Sequence, residues 1–221
     1  MEVRAKFIID ELLNEKFIDL SNEDKVIELE ELEESGRSKL EFKTISDKTI
    51  SDKTITIKNI DKKHTDMLFF RNDAALSMYK RVDHVIMDNI GGNKWNVYLI
   101  EMKSSLSDKT WIEVRGKFRA SYLFIKAFAA ILDIEINEVY MCTTYKNFKF
   151  TSNTIPSSKR IRTGTRNVPF IEEFQGGKFA IKLGGYLDFE HIPILMENNE
   201  EENRLIGIFD VNSILKSHNR T

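Results

Sequence analysis

Asp83, Glu101 and Lys103 stand where charge is unexpected. They punctuate the stretch VDHVIMDNIGGNKWNVYLIEMKSS (82–105), in which two apolar runs fold about a Gly-Gly pair. Two carboxylates brought together at a half-buried place demand a compensating cation, a shared proton or a different pairing of the strands. Lys103 is one candidate for that cation. A hard divalent metal such as Mg2+, held by one or two carboxylates plus water and phosphate oxygens, is another, and the two are compatible.

Whether the carboxylates meet depends on strand register. Side chains alternate along a strand, so Trp95, Val97, Leu99, Glu101 and Lys103 share one face while Asn96, Tyr98, Ile100 and Met102 share the other. Both rows are largely apolar, which predicts a central strand covered on both sides. On the partner strand Arg81, Asp83, Val85 and Met87 form one row. A turn centred on Gly92 with an odd number of loop residues places Met87 opposite Val97, Val85 opposite Leu99 and Asp83 opposite Glu101. Like charges so opposed destabilise a sheet. A turn shifted by one residue sends Asp83 and Glu101 to opposite faces.

The flanking chain supplies the elements that would hold this hairpin. NEDKVIELEELEES (22–35) spaces Val26, Leu29 and Leu32 near a helical repeat on an acidic background and is expected as an amphipathic helix ending at Gly36. The pentad TISDK occurs twice in tandem (44–53), read as a duplication in or beside a hairpin turn, with strands at 40–45 and 54–60 joined by a lengthened loop. Residues 66–79 are apolar but mixed. In 111–132, Trp111, Val114, Phe118, Tyr122, Ile125, Ala129 and Leu132 recur at spacings of three and four, one clear helical face. The first half carries Glu113, Arg115, Lys117 and Arg119 off that face, so this end should meet solvent or ligand. The second half is apolar nearly all round and should be sandwiched. NEVYMCTTY (137–145) is rich in β-formers. Strand, hairpin, long helix, strand is an α/β order in which the helix returns the chain to the same sheet. The expected organisation is a core with its N-terminal helix over 1–145 and a C-terminal elaboration over 146–221, packed on the core and closing with a strand and then a helix from about Asp210.

An Asp on one strand and Glu-x-Lys on the next, followed by a long helix and another strand, resembles the PD-(D/E)XK nuclease superfamily. The resemblance covers 40–145 and rests on Asp83 in RVDHVIMD and on Glu101 and Lys103 in LIEMKSS. It implies a restriction-endonuclease-like core, a mixed central sheet flanked by helices. It also implies metal-dependent cleavage of phosphodiester bonds, with DNA the expected substrate and a prokaryotic, antiviral defence system the expected setting. Asp83 and Glu101 would ligate Mg2+ or Mn2+, and Lys103 would orient the attacking water and offset charge on the phosphate. Val82 stands where the family name has Pro. Some members add an acidic residue from the preceding helix, for which Glu28, Glu30, Glu31, Glu33 and Glu34 all offer themselves, and others a Lys on the following helix, for which Lys117 is nearest. A second Glu-x-Lys, Glu41 to Lys43, lacks the acidic strand before it and the helix after it. The competing readings are a surface-edge strand whose charges point into water, and a non-catalytic nuclease-like module that binds nucleic acid or assembles a complex.

The remaining features narrow the field. Lys plus Arg (33) nearly cancels Asp plus Glu (35), so no overall basic field marks a nucleic-acid partner and local patches must supply the grip. Arg115, Lys117 and Arg119 near the motif, and Lys159, Arg160 and Arg162 in SSKRIRTGTRN (157–167), are the candidates for phosphate contact. Small size and near-neutral charge suggest a homodimer or a subunit of a larger complex. Cys142 is the only cysteine, which excludes an internal disulfide and a cysteine-ligated zinc site and fits a reducing, cytoplasmic location. The N-terminus, broken by acids, does not read as a secretory signal, and no run is expected to span a membrane. No P-loop, dinucleotide fingerprint or nucleophile elbow occurs. His84, next to Asp83 but on the other strand face, is expected as a packed core histidine, and Asp88 as a turn residue.

Overall fold

The computed structural model describes residues 18–21, 26–33, 36–43, 54–58, 78–151, 161–163, 166–168, 170–175, 178–183, 185–201 and 203–211. These form a mixed α/β fold, mostly sheet, with few helices. A seven-stranded sheet has the order β1-β4-β5-β6-β8-β13-β12. Its members are β1 (Ile18–Ser21), β4 (Thr54–Lys58), β5 (His84–Gly91), β6 (Lys94–Glu101), β8 (Glu135–Tyr145), β13 (Gly185–Leu195) and β12 (Lys178–Leu183). A four-stranded sheet runs β14-β15-β3-β2, from β14 (Glu197–Asn199) and β15 (Arg204–Asp210) to β3 (Gly36–Lys43) and β2 (Val26–Glu33). Two small ribbons, β7 (Ser105–Ser107) with β9 (Asn147–Lys149) and β10 (Ile161–Thr163) with β11 (Arg166–Val168), complete the described strands.

The β5–β6 hairpin sits at the centre of the large sheet, and its register is the one the alternation demands. Met87 faces Val97, Val85 faces Leu99 and His84 faces Ile100. The turn itself is tighter than expected, with Gly91 paired to Lys94 and a register shift between Asn89 and Gly91 absorbing the extra residue. Gly91 (φ 122°) and Gly92 (φ 60°) take backbone angles that side chains resist. The Asn89 amide closes the turn, accepting from Gly91 N at 2.7 Å and donating to Gly92 O at 3.1 Å.

Helix α1 (Asp108–Leu132) is the crossover from β6 to β8, and these two strands pair in parallel. Ser107 starts it with a capping box shared with Thr110, and Asp133, left-handed at φ 56°, ends it. The Asn93 side chain from the hairpin turn donates to Asp133 O at 2.6 Å, fixing the helix end to the sheet. Trp111, Val114, Phe118, Ile125, Ala129 and Leu132 are buried, as the spacing predicts. The second half is not sandwiched. Ala127, Ala130 and Ile131 are exposed, because the described elements cover only the helix side that packs on the sheet.

The odd-numbered row of β6 packs under α1 in one core with Val85, Met87, Met141 and Phe179. The even-numbered row packs against the small sheet in a second core with Leu29, Leu40, Phe42 and Phe209. Tyr98 joins the layers, stacked on Tyr140 at 5.0 Å with Phe42 edge-on at 4.9 Å. Within the N-terminal helix expected at 22–35, residues 26–33 form instead the strand β2, paired with β3. Ile27 and Leu29 turn inward and Glu28 and Glu30 outward, a period of two that tertiary pairing selects over the weaker helical spacing. β3 and β4 lie in different sheets and are not a hairpin pair. The TISDK repeat, residues 66–77 and the helix expected beyond Asp210 lie outside the described residues or nearly so. Beyond Tyr145 the chain supplies β12 and β13 to the large sheet and β14 and β15 to the small one.

Replacing Tyr98 with Ala removes a fully buried ring from between the sheets and should cost about 3–5 kcal/mol, read from urea unfolding of the variant beside the native protein.

Candidate active site

Asp83 lies one residue before β5, Glu101 is the last residue of β6, and both belong to the row that faces α1. The segment entering β5 is tied to the helix, since Val82 N donates to Ser121 Oγ at 2.9 Å and the Arg81 guanidinium lies over the Phe124 ring at 5.1 Å. Asp83 Oδ2 accepts from Met102 N at 2.6 Å, which fixes that carboxylate against the end of β6. Lys103 is held by Thr144 of β8, whose hydroxyl accepts from Lys103 N at 2.8 Å and donates to Lys103 O at 3.1 Å. Ser121 and Thr144 thus position the site without any motif to announce them. A hydroxyl in an apolar helix face, as at Ser121, is the only signal the sequence offers.

Four side chains converge. Lys103 Nζ is 3.0 Å from Glu101 Oε1, while Lys117 Nζ is 2.8 Å from the same oxygen and 3.3 Å from Asp83 Oδ1. Glu101 has no exposed side-chain surface, Asp83 very little, and the two lysines are a fifth to a quarter exposed. Both lysines address Glu101 Oε1, and Oε2 accepts no hydrogen bond from the described residues. Burial, and then Asp83 beside it, push the Glu101 carboxyl up to about 7 against the pull of Lys117 and Lys103. Burial depresses the Lys103 ammonium, but Glu101 and Asp83 outweigh it and hold the group above its ordinary value.

The other sequence candidates are placed differently. Arg115 is internal: it pairs with the buried Glu173 carboxylate, donates to Ala180 O at 2.9 Å and lies 5.0 Å over Phe179. Glu173 also accepts from Trp111 Nε1 at 2.8 Å, so Arg115 helps pack α1 on α2 (Phe170–Gln175). Arg119 is half-buried, Lys159 and Arg160 lie outside the described residues, and Arg162 is described only as backbone in β10. Residues 26–33 are strand β2, so Glu28, Glu30, Glu31 and Glu33 do not come from a helix. Glu28 pairs with Lys39, and Glu30 with Arg204 at 3.2 Å, on the small sheet. Glu41, in the second Glu-x-Lys, faces Glu28 across β2–β3 with Lys39 3.8 Å away. Asp88 is a buried strand residue, not a turn residue, accepting from Thr54 Oγ1 at 3.2 Å. His84 is buried in β5, as expected.

Among the described residues no group of three or more His, Cys, Asp or Glu side chains is arranged to hold a metal ion. Asp83 and Glu101 nevertheless form a donor set of the size Mg2+ accepts from a protein, one or two carboxylates completed by water and phosphate oxygens. The orphaned Glu101 Oε2, buried and without a donor, suits that use.

A carboxyl whose folded value is raised to about 7 from an ordinary 4.5 binds its proton more tightly when folded. Its stabilising contribution is present below about 4.5 and lost as pH rises through 7. In a metal chelator, the stability of Glu101→Gln relative to the native protein should therefore rise between those limits by on the order of 3 kcal/mol. Urea unfolding across the range measures it, and a pH-independent difference would contradict the assignment.

No protein-family model, curated protein or solved structure matches the chain, so the reading of this site rests on its own geometry.

Proposed function

We propose that the chain is a metal-dependent nuclease of PD-(D/E)XK type, hydrolysing phosphodiester bonds in DNA with Mg2+ or Mn2+. The observation that carries the reading is the contact of Asp83, Glu101, Lys103 and Lys117, two buried carboxyl groups met by two partly exposed lysines at the end of a central hairpin. Hairpin, crossover helix and parallel strand is the order the resemblance implies for a restriction-endonuclease-like core.

Asp83 and Glu101 would hold the metal. When bound, it would supply Lewis-acid polarisation of the phosphate and an acidified water. Lys103, with its ammonium above its ordinary value, remains charged at neutral pH, so it donates hydrogen bonds to the attacking water and offsets charge gathering on the phosphate oxygens. Lys117, approaching from α1, contacts both carboxylates and offsets their charge. Work as a homodimer or within a larger complex, in the cytoplasm of a prokaryotic defence system, is part of the same proposal. Its support is the near balance of charge, 33 basic against 35 acidic residues, which leaves part of the substrate grip to a partner.

One observation favours a second reading. Lys117 already spans both carboxylates, which is what a quartet retained only for structure would look like. In that case the fold serves as a non-catalytic module for nucleic-acid binding or assembly.

Incubation with plasmid, linear and single-stranded DNA and with RNA, in Mg2+ or Mn2+, separates the two. Cleavage should fall by at least about two orders of magnitude in Asp83→Ala and Lys103→Ala. Cleavage untouched by either substitution would remove this site from the chemistry.

A further inference from the structure

A cavity of about 470 Å³ opens beside Lys103, in the crevice between the two sheets where the parallel strands β6 and β8 end. Ligands of open α/β sheets settle outside the carboxyl ends of the strands, and this volume is within the range of small-molecule pockets. We propose that it seats one nucleotide of the substrate strand, next to the bond to be cut, and thereby gives cleavage a base preference. This inference rests on the nuclease reading of the adjoining site.

The lining supports a nucleotide more than an apolar ligand or a bare anion. Lys103 lines the cavity and also pairs with Glu101, so the cavity and the proposed reaction centre adjoin at this one residue. Lys146 is pre-set: its backbone N donates to Ser104 O at 2.9 Å, and its Nζ donates to Asn198 Oδ1 at 2.8 Å. An ammonium has three donors, and this bond uses one, leaving capacity for a phosphate oxygen. β14 contributes Asn198 and Asn199 and the turn before β15 contributes Asn203; the Oδ1 atoms of the first two already accept from Lys146 Nζ and Glu201 N, and amides of this kind match a base edge. Arg204 adds a third cation and Glu31 and Glu200 two acids, so the walls are mixed in charge rather than a purely cationic trough. A mixed wall disfavours a free polyanion and admits a base that presents donors as well as acceptors.

The test uses the full chain in a metal chelator, with a fluorescein-labelled single-stranded oligodeoxynucleotide read by anisotropy over a salt series, followed by cleavage assays in Mg2+. Lys146→Ala should weaken binding roughly tenfold and reduce the salt slope by about one, since one phosphate contact is lost. Lys126→Ala, on the exposed side of α1, should do neither. Asn198→Ala should change which bases flank the cut. Binding and cut-site preference unchanged in both cavity variants would overturn the proposal, even if the native protein cleaves. Weakened binding by Lys146→Ala in a protein that never cleaves would support the cavity and overturn the nuclease reading alone.

Discussion

Glu101 is a carboxylate without exposed surface, placed beside a second carboxylate and beneath an apolar helix face. Removing such a charge from water is costly unless cations and hydrogen bonds replace the solvent. Much of the architecture answers to that cost. The β5–β6 register brings Asp83 to the same end and face, α1 delivers Lys117, and the strand end itself delivers Lys103. Each cation comes from a different element, so the quartet also couples hairpin to crossover. A slip of one residue in the hairpin would move Asp83 to the face that packs on the small sheet, and Lys117 would lose a partner.

The two cores divide the labour. The layer under α1 carries the charged end, while the layer between the sheets is apolar and aromatic around Tyr98 and holds the crevice open beside Lys103. Stability is spent at Glu101, where the compensation is incomplete: its Oε2 has no donor among the described residues and its carboxyl is raised toward neutrality. Residues that keep such a cost are characteristic of functional sites, where environment tunes a group for chemistry rather than for folding.

The hairpin, its register, α1 with its buried face, and β8 could be read from the chain because their signals are local: two-residue alternation, a Gly-Gly turn and a repeat of three and four. Asp83, Glu101 and Lys103 could be found for the same reason. What could not be read depends on partners distant in sequence. β2 looked helical because Leu29 and Leu32 fit either period, and only pairing with β3 decides between them. The parallel pairing of β15 with β3 joins segments on opposite sides of the whole core and leaves no trace in spacing. Arg115 and Lys117 look alike on the helix. The first reaches the buried Glu173 and the second the buried Glu101, a difference set by which element packs against each turn.

The proposed chemistry requires Asp83 and Glu101 to be metal ligands and not merely partners of Lys103 and Lys117. Manganese binding followed by electron paramagnetic resonance tests that directly, since the ion reports its own free and bound populations. One Mn2+ per chain is expected, released when Asp83 is replaced by Asn or Glu101 by Gln while the fold is kept. Mn2+ that fails to bind with substrate DNA present, or binds equally well to both variants, would contradict the account.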